Sequence, residues 1–277
     1  MPHSYLGRNA LKSYLGDTTT KSDASYKRAL EGVTQEIDKW SNRTFKSVSE
    51  TRYFTADDGD EILIDDLISV SAVRMDQDGD RTYETTLSTS DWELGPWNAT
   101  SSGEPYTVLS RRPNGSYSFT SARRGIQVVG VWGYWQDLAG STSRTTSTSG
   151  LDATSTSFGV AGAIASLDVG QTIRIDSEDM YINDIDTSSN VFVDRGINGS
   201  TASTHSTSSP LSVHHYPPAV VEACRIQATR IFKRKDAPFG SFAGPTDMIE
   251  NVVEVSRLDP DVEQLLKTYH RKRWLGV

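Results

Sequence analysis

The chain is poor in residues that staple, span or react. One cysteine, Cys224, stands among 277 residues, so no disulfide can form within the chain. No apolar run approaches the roughly 18 residues of a membrane span. Met1 to Thr20 has no signal-peptide core, and the expectation is a soluble protein made and kept in a cytosol-like compartment. Asn-x-Ser/Thr sequons such as those at Asn42, Asn98 and Asn198 then carry no meaning.

Catalytic signatures are missing as well. There is no G-x-S-x-G, no Walker loop, no G-x-G-x-x-G after a strand and no H-E-x-x-H. The five histidines are scattered, and the adjacent His214 and His215 would point to opposite faces of a strand. Asp76-Gln77-Asp78-Gly79-Asp80 imitates part of a calcium loop, but Leu87 stands where the closing bidentate Glu belongs, and a solvated hairpin turn is the expectation. Carboxylate pairs such as Asp65-Asp66 carry no weight without a pocket. The reading is a protein that is not an enzyme, with no catalytic, metal or cofactor-binding residues.

Charge is uneven. Residues 1–140 carry 15 Lys/Arg against 20 Asp/Glu, residues 141–216 carry 3 against 8, and residues 217–277 carry 10 against 8. An acidic body argues against tight duplex binding through a broad basic face. The basic end is different: Lys267, Arg271, Lys272 and Arg273 precede Trp274 and Leu275, a set suited either to a solvated helix end or to docking in a partner's groove.

Helical spacing is clearest in Pro217 to Lys235. Two prolines open it, where a missing N–H costs nothing. Val220, Ala223, Cys224, Ala228, Ile231 and Phe232 then fall on one face, and Lys233, Arg234 and Lys235 crowd the end that favours cations. Cys224 on this face reads as a small buried hydrophobe. A second helix is expected over Ser22 to Ser41, with Ser22 as N-cap and Tyr26, Leu30, Val33, Ile37 and Trp40 in one stripe. A shorter one ends at Gly16, and a last one begins at Pro260. The packing residues of this helical core are expected to be Tyr26, Leu30, Val33, Ile37, Trp40, Val220, Cys224 and Ile231.

Between the helices the period changes. Short β-branched and aromatic runs from Thr51 to Trp132 are punctuated by Asp58-Gly59, Asp78-Gly79 and Asn114-Gly115, giving about six antiparallel strands. Trp132-Gly133-Tyr134-Trp135 closes this region and is expected to pack as a β-edge on the helix pair. Of the 17 residues from 141 to 157, 12 are Ser or Thr, which reads as a linker. Three small strands follow (near 172–175, 179–185 and 191–195), then a second Ser/Thr stretch from Ser200 to Ser209. The expected fold class is therefore α+β. A small α-helical bundle (helices about 22–41, 217–235 and 260–271) carries an antiparallel β region, over residues 1–140 and 213–277. A small β domain is inserted at 141–212.

The order of these motifs resembles the head–tail connector (adaptor) proteins of tailed bacteriophages. It is carried by the A-L-x-x-V-x-x-x-I-x-x-W-x-x-R-x-F helix from Ala29 to Phe45 and the Val131-Trp132-Gly133-Tyr134-Trp135 closure. Pro217-Pro218-Ala219-Val220, a helix ending Arg230-Ile231-Phe232-Lys233-Arg234, and Arg257 to Arg271 complete it. The stretch with Ile173, Ile175, Glu178, Met180, Ile182, Val191, Val193, Arg195, Gly196, Asn198, Gly199, Ser200, Ala202 and His205 is similar to a small β module of phage structural proteins. Shorter connectors lack such an insert.

The resemblance implies a structural virion protein: a homo-oligomeric ring of about twelve copies at the head–tail interface, assembled in the host cytoplasm. It would lie beneath the portal protein and above a tail-side connector or stopper, with DNA passing through its channel without specific binding. It makes Tyr269, Arg271, Lys272, Arg273 and Trp274 the portal-contact candidates. The alternative reading is a phage accessory protein that binds a receptor or glycan through its β module.

Overall fold

A computed structural model describes residues 3–56, 60–146, 150–162, 164–234 and 258–271. In chain order the elements begin with α1 (Arg8–Leu15), α2 (Asp23–Ser41), β1 (Val48–Phe54), β2 (Glu61–Met75), β3 (Thr85–Thr86) and β4 (Trp92–Gly95). They continue with α3 (Ala99–Ser102), β5 (Tyr106–Arg111), β6 (Ile126–Trp132), β7 (Asp137–Thr146), β8 (Ser157–Gly162) and β9 (Thr172–Ile175). The last are β10 (Glu178–Ile185), β11 (Asn190–Ile197), β12 (Pro210–His215), α4 (Pro218–Lys233) and α5 (Pro260–Leu266). No helix among the described residues is long and apolar enough to cross a membrane.

These elements form two compact units. One comprises Arg43–Asp137 and Asn198–Thr201; the other comprises Met1–Asn42, Leu138–Ile197 and Ala202–Val277.

The expected α+β bundle with a small inserted β domain is not what the chain builds. The protein is mostly β, with a six-stranded antiparallel sheet and a closed six-stranded barrel outweighing five short helices among the described residues. The individual helices lie close to their sequence positions, but the weight of the fold is in the strands. Helical periodicity is a loud signal, whereas Ser/Thr-rich strands hold register through backbone pairing and show little apolar pattern. Thus most of β7 arises from the stretch read as a linker, and it pairs with β8 just beyond that stretch through Arg144 with Gly162, Thr145 with Ala161 and Thr146 with Val160.

In the first unit the strand order is β1-β6-β2-β5-β4, with β3 also paired to β2. Strict alternation on β6 buries Ile126, Val128, Gly130 and Trp132 and leaves Gln127, Val129 and Val131 half-buried. The buried set packs with Ile62, Ile64, Leu67, Val73, Met75 and Leu109 into one core. Glu61–Ile64 and Val70–Arg74, two separate short runs in the sequence, form the single strand β2, with register shifts at Leu67/Ser69 and Val70/Ala72. The intervening Asp65-Asp66 does not turn the chain, because buried Asp66 is paired with Arg43 at 2.9 Å and its carbonyl accepts from Gly133 N–H. Trp132 therefore sits on a central strand of its own sheet, with its indole N–H donating to Glu50 O at 3.0 Å. Glycine is needed at 199, where φ is +77° and a Cβ would lie 1.8 Å from Ser49 O.

In the second unit the barrel runs β10-β11-β8-β7-β12-β9 and closes on itself, so no edge is left. Ile173, Ile175, Met180, Ile182, Val191, Val193, Leu211 and Val213 fill its interior. The helices of this unit pack through α2 and α4, where Tyr26 stacks on Phe232 at 4.1 Å and Thr34 Oγ1 meets Cys224 Sγ at 3.9 Å. α5 returns onto α4, with Asp259 N–H donating to Gln227 Oε1. Asp168, just before β9, caps α1 by accepting from Asn9 and Ala10 N–H at 2.7 and 3.0 Å. Tyr181 of β10 donates to Glu31 of α2 at 2.7 Å, and Lys27 donates to Asn183 at 2.8 Å. Barrel and helices are thus one packed body within this unit.

Candidate functional site

The residues singled out from sequence fall into three places. The helical stripe comes first. Tyr26, Leu30, Val33, Ile37, Val220 and Cys224 are buried, Trp40 is half-buried, and Ile231 stands at the surface with 36% exposure. Burial pushes the Cys224 thiol up to about 12, which leaves almost no thiolate at neutral pH. We expect an alkylating reagent to modify Cys224 only after denaturation; rapid labelling of native protein, read by intact mass, would contradict its place in the α2–α4 contact.

The C-terminal candidates come second. α5 ends at Leu266 and passes into one turn of 3-10 helix, Lys267–Tyr269. His270 packs edge-on against Trp40 at 5.1 Å. Arg271 N–H then donates to Ser41 O at 2.9 Å, and the Asn42 side-chain amide donates to Arg271 O at 3.2 Å. The last described residue is thereby tied to the C-terminal end of α2, where unsatisfied helix carbonyls want donors. Arg271 lies at that end, two residues after Tyr269 closes the 3-10 turn; Lys272, Arg273 and Trp274 lie outside the described residues, as does Lys235.

The third place is the barrel motif. Its conspicuous residues converge on one carboxylate. Glu178, fully buried, receives Arg195 Nε at 2.6 Å and Nη2 at 2.7 Å, and accepts from the backbone N–H groups of Gly196 and Ser203 at 3.0 and 2.9 Å. His205 Nε2 lies 2.9 Å away, and its Nδ1 is 2.7 Å from Asp176. Arg195 also donates to the carbonyls of Asp152, Ser155 and Ser203. Burial works against ionisation of Glu178, but Arg195, Ser203 and His205 together carry its carboxyl down to about 2.

This network is saturated rather than reactive. A nucleophile or general base needs a free lone pair beside a cavity, whereas the Glu178 oxygens are committed to partners from two segments of chain, Arg195-Gly196 and Ser203 to His205. It pins Gly196 and the stretch from Ser203 to His205 to the barrel. A parallel set on the neighbouring strands joins Asp179 to Arg174 at 2.6 Å and to His214 at 3.0 Å. Sequence reading missed this second set. The signal was alternation: Arg174 and His214 interrupt apolar strands, which requires a buried counter-charge.

Asp76, Asp78 and Glu84 bring carboxylate oxygens within 4.8 Å of one another. Asp76 accepts from Gly79 and Arg81 N–H, Asp78 from Asp80 N–H, and Glu84 from Gln77 N–H, so the group serves as turn scaffolding. Trp92, Leu94, Trp97, Tyr106 and Arg112 line an open groove of about 300 Å³ on the β4–β5 side of the sheet, with Trp97 80% exposed.

No family model matches the chain, and the curated proteins give no match. Among solved structures, a chain from the "Neck of empty GTA particle computed with C6 symmetry" is similar over 99% of this chain and 93% of that one. The identity is 12% and the TM-score 0.42.

Proposed function

We propose that this protein is a structural neck component of a tailed-phage-like particle. It is a head–tail connector that assembles into a ring of copies beneath the portal, lines the DNA exit channel and meets a tail-side connector or stopper. The reading rests on the order of sequence motifs and on one structural observation: the anchorage of Arg271 to Ser41 and Asn42. That anchorage gives the basic-aromatic segment Lys272-Arg273-Trp274 a fixed root at a helix end. A docking peptide rooted on a rigid element loses less entropy on binding than one hung from a flexible tail. Tyr269, Arg271, Lys272, Arg273 and Trp274 are the proposed portal contacts, with Trp274 as apolar anchor and the cations as rim.

Truncation after Arg271 tests this. Val262 and Leu266 of α5 are fully buried, so the cut must spare that helix. The truncated protein should fold and keep its oligomeric state by mass photometry, yet fail to co-sediment with portal-bearing heads. Normal attachment would refute the docking role.

The groove beside Trp97 favours a second reading, in which an exposed aromatic platform with an Arg112–Glu93 pair takes a glycan. The two separate readily: a connector forms a large ring or binds heads, while a glycan binder remains small and is retained on immobilised sugar.

A further inference from the structure

One end of the six-stranded sheet gathers cations and aromatics in an otherwise acidic chain. Tyr53, at the end of β1, packs against Tyr83 with ring centroids 5.3 Å apart, and the Arg124 guanidinium lies over Tyr53 at 4.9 Å. Tyr83 OH donates to Arg124 O, and Arg81 Nη1 donates to Arg123 O, each at 2.8 Å. Gln127, the strand partner of Tyr53, accepts from Arg74 Nη1 at 3.1 Å. Arg74, Arg81, Arg123 and Arg124 are all exposed. Unlike Arg43, Arg52, Arg111 and Arg112 in the same unit, none of the four has a carboxylate partner among the described residues.

The backbone supports the same reading. Arg81 and Arg124 adopt φ of +78° and +58°, in the left-handed region that side-chain-bearing residues avoid. Asp76 Oδ2 holds the Arg81 amide and Thr55 Oγ1 holds the Arg124 amide, so the two arginines are fixed in place. Local strain held by surrounding bonds at exposed cations fits a binding surface better than a plain solvated turn.

We infer that this sheet end is a phosphate-contacting surface for nucleic acid, read without regard to sequence. Planar guanidinium groups match phosphate oxygens, and a rigid tyrosine pair offers flat surface beside them. Asp78, Asp80 and Glu84 on the adjoining turn keep the field from being broad, so contact is short-ranged and weak. Weak contact suits a surface past which a duplex moves. The inference rests on the neck reading for the identity of the polyanion. Its assay uses unassembled protein, so loss of DNA binding and loss of ring formation are separately visible.

The test is fluorescence anisotropy with a short labelled DNA duplex, titrated over a range of salt. Four phosphate contacts predict a slope of log K against log salt of about −3 to −4, since each contributes roughly −0.9. Arg123→Ala/Arg124→Ala should bring the slope closer to zero by about 2, and Arg123→Ala alone by about 1. The exposed Arg123 guanidinium has no carboxylate partner among the described residues, so the single variant keeps the fold intact. Arg124→Lys should retain most of the slope. Failure of the native protein to bind at low salt, or an unchanged slope in the folded Arg123→Ala variant, would overturn the inference.

Discussion

Replacement of Glu178 by glutamine is expected to destabilise the barrel by about 3–5 kcal/mol, the usual cost of removing one partner from a buried ion pair. The Gln amide nitrogen would present hydrogens to Arg195, Ser203 or His205, all arranged around a pure acceptor. Arg195, only 7% exposed in its side chain, would keep its charge with no carboxylate beside it. Hydrogen exchange of β10 and β11 amides under mild denaturant would read the loss; unchanged protection would show that the network is dispensable. The acid limb provides a second check. The Glu178 carboxyl titrates near 2 in the folded protein against 4.5 for the ordinary group. Its stabilisation is fully present above pH 4.5 and is lost as pH falls towards 2. Each tenfold gain in acid strength on folding corresponds to about 1.36 kcal/mol, so the carboxylate contributes about 3 kcal/mol at neutral pH. The Glu178→Gln variant should be less stable at neutral pH and lack that part of the acid transition, whereas Arg195→Lys should retain a reduced version of it.

The same residues show what can be read from sequence alone. Glu178, Arg195, Gly196 and His205 stand out in the chain as a spaced pattern, yet nothing in the spacing says that three of them bond to the fourth. The fold supplies that: Asp179 pairs with Ile197 and Tyr181 with Asp194, with a shift between them, and from this irregular stretch the Arg195 side chain reaches Glu178 at 2.6 Å. The helices are legible because α2 and α4 each repeat an apolar residue every three or four positions. β7 is not, because pairing in a Ser/Thr-rich strand is a backbone property that leaves little trace in side-chain hydropathy. β2 reads in sequence as two short runs, Glu61–Ile64 and Val70–Arg74, and Asp66 between them needs a buried counter-charge. The compensation comes from Arg43, 23 residues away along the chain, which local reading cannot supply. The cation-aromatic sheet end is equally hidden, since Tyr53, Tyr83 and Arg124 meet only after β1 and β6 pair.

Trp132→Ala is expected to have an effect at least as large in the sheet-bearing unit. The side chain is fully buried at the end of β6, where its partners are Val48 on β1 and Leu67 on β2. Phe54 packs at 5.6 Å, Arg52 covers the ring face at 4.6 Å, and the indole N–H satisfies Glu50 O. Truncation removes the packing of a large aromatic and opens a cavity, about 3–5 kcal/mol for Trp to Ala in a core. It also leaves the Glu50 carbonyl unpaired and removes the cation–π contact of Arg52, adding about 1 kcal/mol each. Trp132→Phe separates these contributions: it keeps most of the apolar area and the ring face but loses the N–H donor, so about 1–2 kcal/mol is expected. Denaturant melts followed by near-ultraviolet circular dichroism would rank native, Phe and Ala in that order. If Trp132→Ala melted like the native protein, the aromatic closure would not be packed inside the sheet, and the Val131-to-Trp135 motif would be free to act as an exposed surface instead.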